Sequence, residues 1–274
     1  MATFGIDVSK WQKGINWDKV KNEGVKFAML RGFSKTKDEC FENFYKACKD
    51  RNIHVGCYIY VYATTVTQAK SYVQKFYNQC LKGKQFEYPI ALDIEDITLL
   101  NKGKTTVTNI IKTMAEYLED KGFYVVIYSS RSYFNTYMND DQLTAYDKWI
   151  AEWSTQCKYD GDYGMWQFGG EINKLRSNKI AGKTVDQNYA YKDYPSIMKK
   201  QGLNGYKKTS SSGSYYPAFD STSIVDGLKS IDVDASFENR KKIASANGIN
   251  GYSGTYAENV KLLNLARKGK LKKV

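Results

Sequence analysis

Tyr88-Pro-Ile-Ala-Leu-Asp-Ile-Glu-Asp96 is an apolar run that ends in a group of acidic residues. The run predicts a buried β-strand with Asp93 and Glu95 at its carboxyl end. Side chains at positions i and i+2 of a strand point to the same face, so the two Cβ atoms should lie about 6–7 Å apart. Repulsion and burial should raise the pKa of one carboxyl group and leave the other ionised. Glycoside hydrolysis uses such a pair, although a strand that simply ends in a charged turn would look the same.

Apolar runs alternate with amphipathic stretches on both sides of this strand, which predicts an α/β fold built from βα units. The predicted strands are Thr3–Val8, Lys26–Gly32, Val55–Ala63, Pro89–Glu95, Phe123–Ser129, Lys148–Glu152, Gly164–Phe168 and Lys183–Tyr189. The predicted helices between them are Asp18–Glu23, Glu39–Arg51, Thr67–Leu81 and Thr106–Lys121. Since the later strands have little helix between them, we expect an irregular, TIM-like barrel rather than eight equal units.

The strand ends bring a set of polar and aromatic residues to one face, because functional groups of a βα barrel lie at the carboxyl ends of its strands. The predicted acids are Asp7, Asp93, Glu95 and Asp186, and the predicted neighbours are Arg31, Tyr60, Tyr62, Tyr128, Trp153 and Gln167. Four carboxylates could also hold Mg²⁺ or Ca²⁺. Their spread over three strand ends, with aromatic residues between them, favours a sugar-binding cleft.

The 274-residue chain is basic, with 41 Lys and Arg against 29 Asp and Glu, giving a net charge of +12. Such a charge favours a polyanionic partner such as nucleic acid, anionic lipid or an acidic wall polymer. The lysines are dispersed and no Arg-rich motif accompanies them, so we expect no nucleic-acid partner. No stretch of 18 apolar residues and no secretion signal is present, so we expect cytosolic synthesis without membrane insertion.

The cysteines and the histidine limit the possible chemistry. Five cysteines without a C-x-x-C spacing argue against a disulfide framework and against a zinc site. His54 is the only histidine, so a site with several histidine ligands is excluded and any Ser-His-Asp or Cys-His mechanism would depend on it. We expect a structural role for His54.

Several motifs resemble the glycoside hydrolase family 25 muramidases, the lysozymes of phages and bacteria. They follow the family order over about 190 residues: Gly5-Ile-Asp-Val-Ser-Lys-Trp-Gln12 with Ile15-Asn-Trp17, Phe27-Ala-Met-Leu-Arg-Gly32, Ala91-Leu-Asp-Ile-Glu95, Trp149-Ile-Ala-Glu-Trp153, Met165-Trp-Gln-Phe168 and Val185-Asp-Gln-Asn188. The third strand differs, since it reads Tyr58-Ile-Tyr60-Val-Tyr62 where the family commonly has Tyr-His-Tyr. Asp38 and Glu39 follow the family pattern only loosely.

The resemblance implies a (β/α)5β3 barrel that cleaves the β-1,4 bond between N-acetylmuramic acid and N-acetylglucosamine, without a cofactor. Glu95 matches the general acid, and Asp93 matches the carboxylate that orients the substrate acetamido group. Asp7 and Asp186 match supporting acids. Either the 2-acetamido group or an enzyme carboxylate could stabilise the intermediate, because strand geometry leaves the separation of the carboxyl groups open.

The last part of the chain predicts a separate module. We expect a catalytic barrel at 1–200, a Gly/Ser/Lys-rich linker at 201–217 and a three-helix domain at 218–274. Capping-box patterns start two of the helices, at Ser223 and Thr255. The module is similar to tails of clostridial wall hydrolases, which implies binding to a wall polymer, although a structural cap or a dimerisation unit is the alternative. This layout is typical of phage endolysins released through a holin pore; a bacterial autolysin and a barrel that only binds walls are the alternatives.

Overall fold

The computed structural model describes residues 2–169, 179–207 and 215–274. The chain divides into two compact units, Met1–Thr209 and Ser210–Val274. The strands are β1 Thr3–Val8, β2 Phe27–Phe33, β3 His54–Tyr60, β4 Ile90–Asp93, β5 Val125–Ser130, β6 Asp147–Ala151, β7 Met165–Gly169, β8 Lys179–Ile180, β9 Lys183–Thr184 and β10 Asp186–Ala190. The helices are α1 Trp17–Asn22, α2 Phe41–Asp50, α3 Val66–Phe76, α4 Ile97–Leu100, α5 Lys104–Asp120, α6 Arg131–Tyr137, α7 Tyr194–Gln201, α8 Ile224–Lys229, α9 Phe237–Ala246 and α10 Tyr256–Arg267.

Eight strands close into a barrel in the order β1-β10-β7-β6-β5-β4-β3-β2, while β8 and β9 form a separate two-stranded sheet. Helices follow β1 to β5, whereas the described residues between β6 and β7 and between β7 and β10 form none. The predicted (β/α)5β3 barrel is therefore confirmed. Side chains alternate along the strands, so Phe27 and Met29 belong to one buried cluster and Ala28 and Leu30 to another.

The last barrel strand differs from the prediction. The sequence predicts one strand at Lys183–Tyr189 with Asp186 at its carboxyl end, but β10 begins at Asp186 and runs antiparallel to β1 and β7. The residues before it form the β8–β9 hairpin, which turns at Ala181 and Gly182 with positive φ angles. Asp186 still lies level with Asp7, because the start of an antiparallel strand faces the carboxyl end of its parallel neighbour.

Three helices of the first unit, α4, α6 and α7, are absent from the prediction. Side-chain caps start each of them. Asp96 Oδ1 accepts hydrogen bonds from the N–H groups of Thr98 and Leu99 at 3.0 and 3.2 Å. Ser130 caps α6, and Asp193 caps α7 close to a proline in the first turn. Asp96 is thus a helix cap, which separates it from the two acids that precede it.

Residues 202–206 belong to the first unit, although their composition predicts a linker. Asn204 is fully buried; its Oδ1 accepts from the N–H of Tyr124 and its Nδ2 donates to the carbonyl of Tyr88, both at 2.8 Å. Gly205 has φ +82°, and a Cβ there would lie 2.3 Å from a backbone carbonyl oxygen. These contacts end the first unit later than position 200. Positions 208–214 of the predicted linker lie outside the described residues.

The second unit contains α8, α9 and α10 around its own buried cluster, which includes Ile224, Leu228, Ile243 and Leu263. The predicted capping box forms at Thr255, whose hydroxyl accepts from the N–H of Glu258. Tyr215 and Tyr216, which composition places in the linker, contact the chain end of this unit through Lys272 and Leu271. Within the described ranges, no helix is both long and apolar enough to cross a membrane.

Candidate active site

A cavity of about 250 Å³ opens at the carboxyl end of the parallel strands. Its lining consists of Asp7, Val8, Ser9, Trp11, Gln12, Arg31, Tyr58, Tyr60, Asp93, Glu95, Tyr128, Trp149, Trp153, Gln167 and Asp186. Strand register brings these residues together: Tyr60, Asp93 and Tyr128 are paired positions on β3, β4 and β5. All the predicted site residues except Tyr62 line this cavity.

Tyr62 is not among the residues that line the cavity. Its ring packs against Tyr60 with 4.7 Å between the centroids, and Lys35 Nζ lies 4.8 Å from its ring centroid. Tyr62 therefore supports a lining residue instead of lining the cavity itself. His54 opens β3, at the other end of that strand from Tyr60, and its ring lies near Tyr88.

Several lining residues are absent from the sequence prediction. Tyr58 and Trp149 are inward positions that strand alternation would have found. Ser9 and Gln12 form a capping box around a short 3₁₀ turn, and this turn carries Trp11, which is 75% exposed. An exposed indole beside a polar cavity is a suitable surface for stacking a sugar ring.

Asp7 is buried and accepts two hydrogen bonds on the same oxygen. Its Oδ2 receives Gln167 Nε2 at 3.0 Å and Asn188 Nδ2 at 2.8 Å. Burial raises the pKa of Asp7, and both amide donors act in the opposite direction because they stabilise the ionised form. Asn188 is a functional-site neighbour that the sequence prediction missed; its position two residues after Asp186 on one strand was the available signal.

The sequence predicts that one carboxyl group of the Asp93–Glu95 pair stays ionised, but the pKa of Asp93 is raised as well as that of Glu95. Asp93 is 4% exposed, and burial together with the charges of Glu95 and Asp7 raises its pKa well above the usual range, while Arg31 acts against this rise. Its Oδ1 atom has no hydrogen-bond partner among the described residues. A buried acceptor left in this state is available for a ligand donor.

Glu95 is half-buried at the cavity. Burial, followed by the negative charge of Asp7, raises its pKa to about 7. Burial and the charges of Asp7 and Glu95 raise the pKa of Asp186 to about 8. Near neutral pH the cavity can thus hold protonated carboxyl groups, since the pKa values of Glu95 and Asp186 are about 7 and about 8.

Arg31 is the cation among the described residues that line the cavity, and Asp38 fixes its position. The guanidinium Nε and Nη2 atoms both lie 2.9 Å from Asp38 Oδ2. Asp38 is buried and also accepts the backbone N–H groups of Lys10 and Cys40. The Asp38 carboxylate therefore fixes the position of Arg31 and ties the Trp11 turn to β2.

The arrangement is suited to proton transfer at a polar, aromatic-lined cleft. In the part of the chain that the structure describes, no group of three or more His, Cys, Asp or Glu side chains is arranged to hold a metal ion. The five cysteines are free, and Cys40, Cys48, Cys57 and Cys80 are buried away from the cavity lining. An acid with a pKa near neutrality beside further carboxyl groups is the combination that general acid catalysis requires.

Comparison with known proteins identifies relatives of this barrel. Residues 6–175 match the family described as Glycosyl hydrolases family 25. The autolytic lysozyme of Clostridium acetobutylicum is 27% identical over 179 residues, which cover 62% of this chain and 52% of that protein. The endolysin of Listeria phage A511 is 29% identical over 118 residues, covering 37% of this chain and 35% of that protein.

The fold comparison agrees with the sequence comparison. The bacterial lysozyme from Streptomyces coelicolor superposes with a TM-score of 0.59 at 25% identity, covering 70% of this chain and 93% of that structure. The matched segment spans about half the length of the clostridial lysozyme. The shared part is the barrel that carries the cavity.

Proposed function

Because the chain belongs to glycosyl hydrolase family 25, we propose that it is a peptidoglycan hydrolase, an N-acetylmuramidase that cuts the β-1,4 bond between N-acetylmuramic acid and N-acetylglucosamine. The observation that supports this most strongly is Glu95, whose pKa is raised to about 7 in a cavity with three other carboxyl groups. An acid with this pKa keeps its proton in the free enzyme and releases it to the leaving glycosidic oxygen.

The other cavity residues take supporting roles in this proposal. Asp93 presents its unpartnered Oδ1 to the N–H of the substrate 2-acetamido group. Asp7 and Asp186 contribute to the electrostatic potential at Glu95, the proton donor. Arg31, Tyr60, Tyr128 and Trp153 bind the sugar rings, and the exposed indole of Trp11 extends this binding surface.

The reaction is tested by measuring new reducing ends released from purified Gram-positive walls across pH. We expect release below about pH 7 and a decline as pH rises through the pKa of Glu95, because the deprotonated form has no proton to give. Walls that yield soluble peptides without new reducing ends would contradict the proposal, since they would indicate an amidase or peptidase.

We propose that the second unit binds a wall polymer and keeps the barrel near its substrate. It has a buried core of its own and exposes aromatic side chains, with Phe237 42% and Tyr256 85% exposed. The resemblance to the endolysin of Listeria phage A511 supports the proposal of a phage lysis enzyme. For such an enzyme we propose release to the wall through a holin pore. The autolytic lysozyme of Clostridium acetobutylicum supports the alternative of a bacterial autolysin.

A chain truncated after Lys207 should pellet with walls at least about tenfold more weakly than the full chain, because tethering raises the local concentration of the barrel. It should still cut soluble glycan fragments. A second truncation after Lys200 is the matched comparison, since it also removes Asn204 and its buried hydrogen bonds and should lower the melting temperature. Equal pelleting of the full chain and the 207-residue form would favour a structural cap or a dimerisation unit.

A further inference from the structure

Two buried side-chain amides converge on Asp7 from neighbouring strands. Asn188 of β10 is fully buried and Gln167 of β7 is 3% exposed. Both donate to Asp7 Oδ2, at 2.8 and 3.0 Å. Gln167 Oε1 also accepts from the hydroxyl of Tyr128 and from Trp153 Nε1, both at 3.0 Å, which leaves the side chain little capacity for contact with a sugar.

Two indole groups determine which way these amides point. Trp149 Nε1 donates to Asn188 Oδ1 at 2.8 Å, and Trp153 Nε1 donates to Gln167 Oε1 at 3.0 Å. An indole N–H can only donate, so each amide must turn its oxygen to the indole and its NH₂ group to Asp7. A flipped amide would place two donors together and an oxygen against the carboxylate.

We propose that Asn188 and Gln167 are positioning residues that hold Asp7 in its ionised form. The charge of Asp7 then sets the pH range over which Glu95 keeps its proton. The inference rests on the proposed function, in which Glu95 is the proton donor. It assigns Gln167 a positioning role where the sequence predicts substrate binding.

The surroundings of Asp7 explain why the amides matter. The charged and titratable groups around it come from each packed strand: Arg31 on β2, Tyr58 on β3, Asp93 and Glu95 at the end of β4, Tyr128 on β5 and Asp186 on β10. Most of these groups are acidic or neutral, so the two amide donors are what favours a negative charge on Asp7. Loss of a donor should let Asp7 take up a proton more easily.

The test is the pH profile of kcat/KM for reducing-end release by the full chain. Asn188→Ala and Gln167→Met should each move the alkaline limb of the profile to lower pH by about one unit, since Glu95 loses the neighbouring charge. Asp7→Asn should shift the limb in the same direction. Asn204→Ala removes an equally buried amide remote from the cavity, and it should lower stability while leaving the limb in place.

An alkaline limb that stays at the wild-type pH in both Asn188→Ala and Gln167→Met would overturn the inference. Titration of ¹³C-labelled Asp7 by NMR keeps the test independent of activity, because the Asp7 pKa should rise in Gln167→Met whatever the substrate is. A wild-type protein that releases no reducing ends would refute the proposed function, and the Asp7 titration would still decide the inference.

Discussion

Glu95→Gln should lower the rate of glycan cleavage by about 10²–10⁴-fold, because glutamine has nearly the same shape but no proton to give to the leaving oxygen. The measurement is reducing-end release from purified walls at a pH below 7, with wild-type protein beside it. Asp96→Asn is the matched control: Asp96 is near in sequence, caps α4 and does not line the cavity, and asparagine caps helices about as well. Wild-type rates in Glu95→Gln would refute the assignment of the proton donor.

The same variant has a predicted stability signature. Glu95 has its pKa raised from 4.5 to about 7 in the folded protein, so between these values the folded state holds more protons than the unfolded state. The free energy of unfolding therefore falls as pH rises through that window. Glutamine does not titrate, so it avoids this loss of stability. Glu95→Gln should therefore be more stable than wild type by about 2–3 kcal/mol above pH 7, and the two proteins should be equally stable below pH 4.5. Denaturant unfolding at both pH values measures the difference.

Asp93→Leu should reduce kcat/KM by about 10²-fold, because leucine keeps the volume of the side chain but has no oxygen to accept the N–H of the substrate acetamido group. Asp93→Asn should raise the free energy of unfolding at neutral pH. The pKa of Asp93 is raised in the folded protein, so stability is lost as pH rises above the usual aspartate range, and asparagine avoids that loss. Kinetics on wall fragments and denaturant unfolding check both effects. Unchanged kinetics would show that Asp93 takes no part in the reaction.

The apolar run before Asp93 and Glu95 predicts that both acids lie at one strand end. The structure places both in the cavity, although β4 ends at Asp93 and Glu95 follows the strand. The charge state of Asp93 could not be predicted this way. It depends on burial and on the charge of Asp7, which is more than 80 positions away in the sequence and close only in the closed barrel.

The sequence-based prediction of the fold was least accurate where a local sequence pattern is compatible with two structures. The predicted strand Lys183–Tyr189 joins the second strand of the hairpin, β9, to β10. The periodicity of the sequence therefore could not show that β10 starts at Asp186 or that it runs antiparallel. The Gly-rich stretch after α7 has a linker composition, yet Asn204 makes buried hydrogen bonds that only the folded barrel supplies. Asn188 was missed because its place two residues after Asp186 indicates the face that it shares but not the groups that it contacts.

The most direct test of the proposed function is the chemistry of the ends that the protein creates. Purified wall is digested, the new reducing ends are reduced with borohydride, and the fragments are identified by mass spectrometry. We predict muramitol ends, which arise when the bond following N-acetylmuramic acid is cut, and their loss with Glu95→Gln. Glucosaminitol ends, or released peptides without reduced sugars, would contradict the assignment as an N-acetylmuramidase.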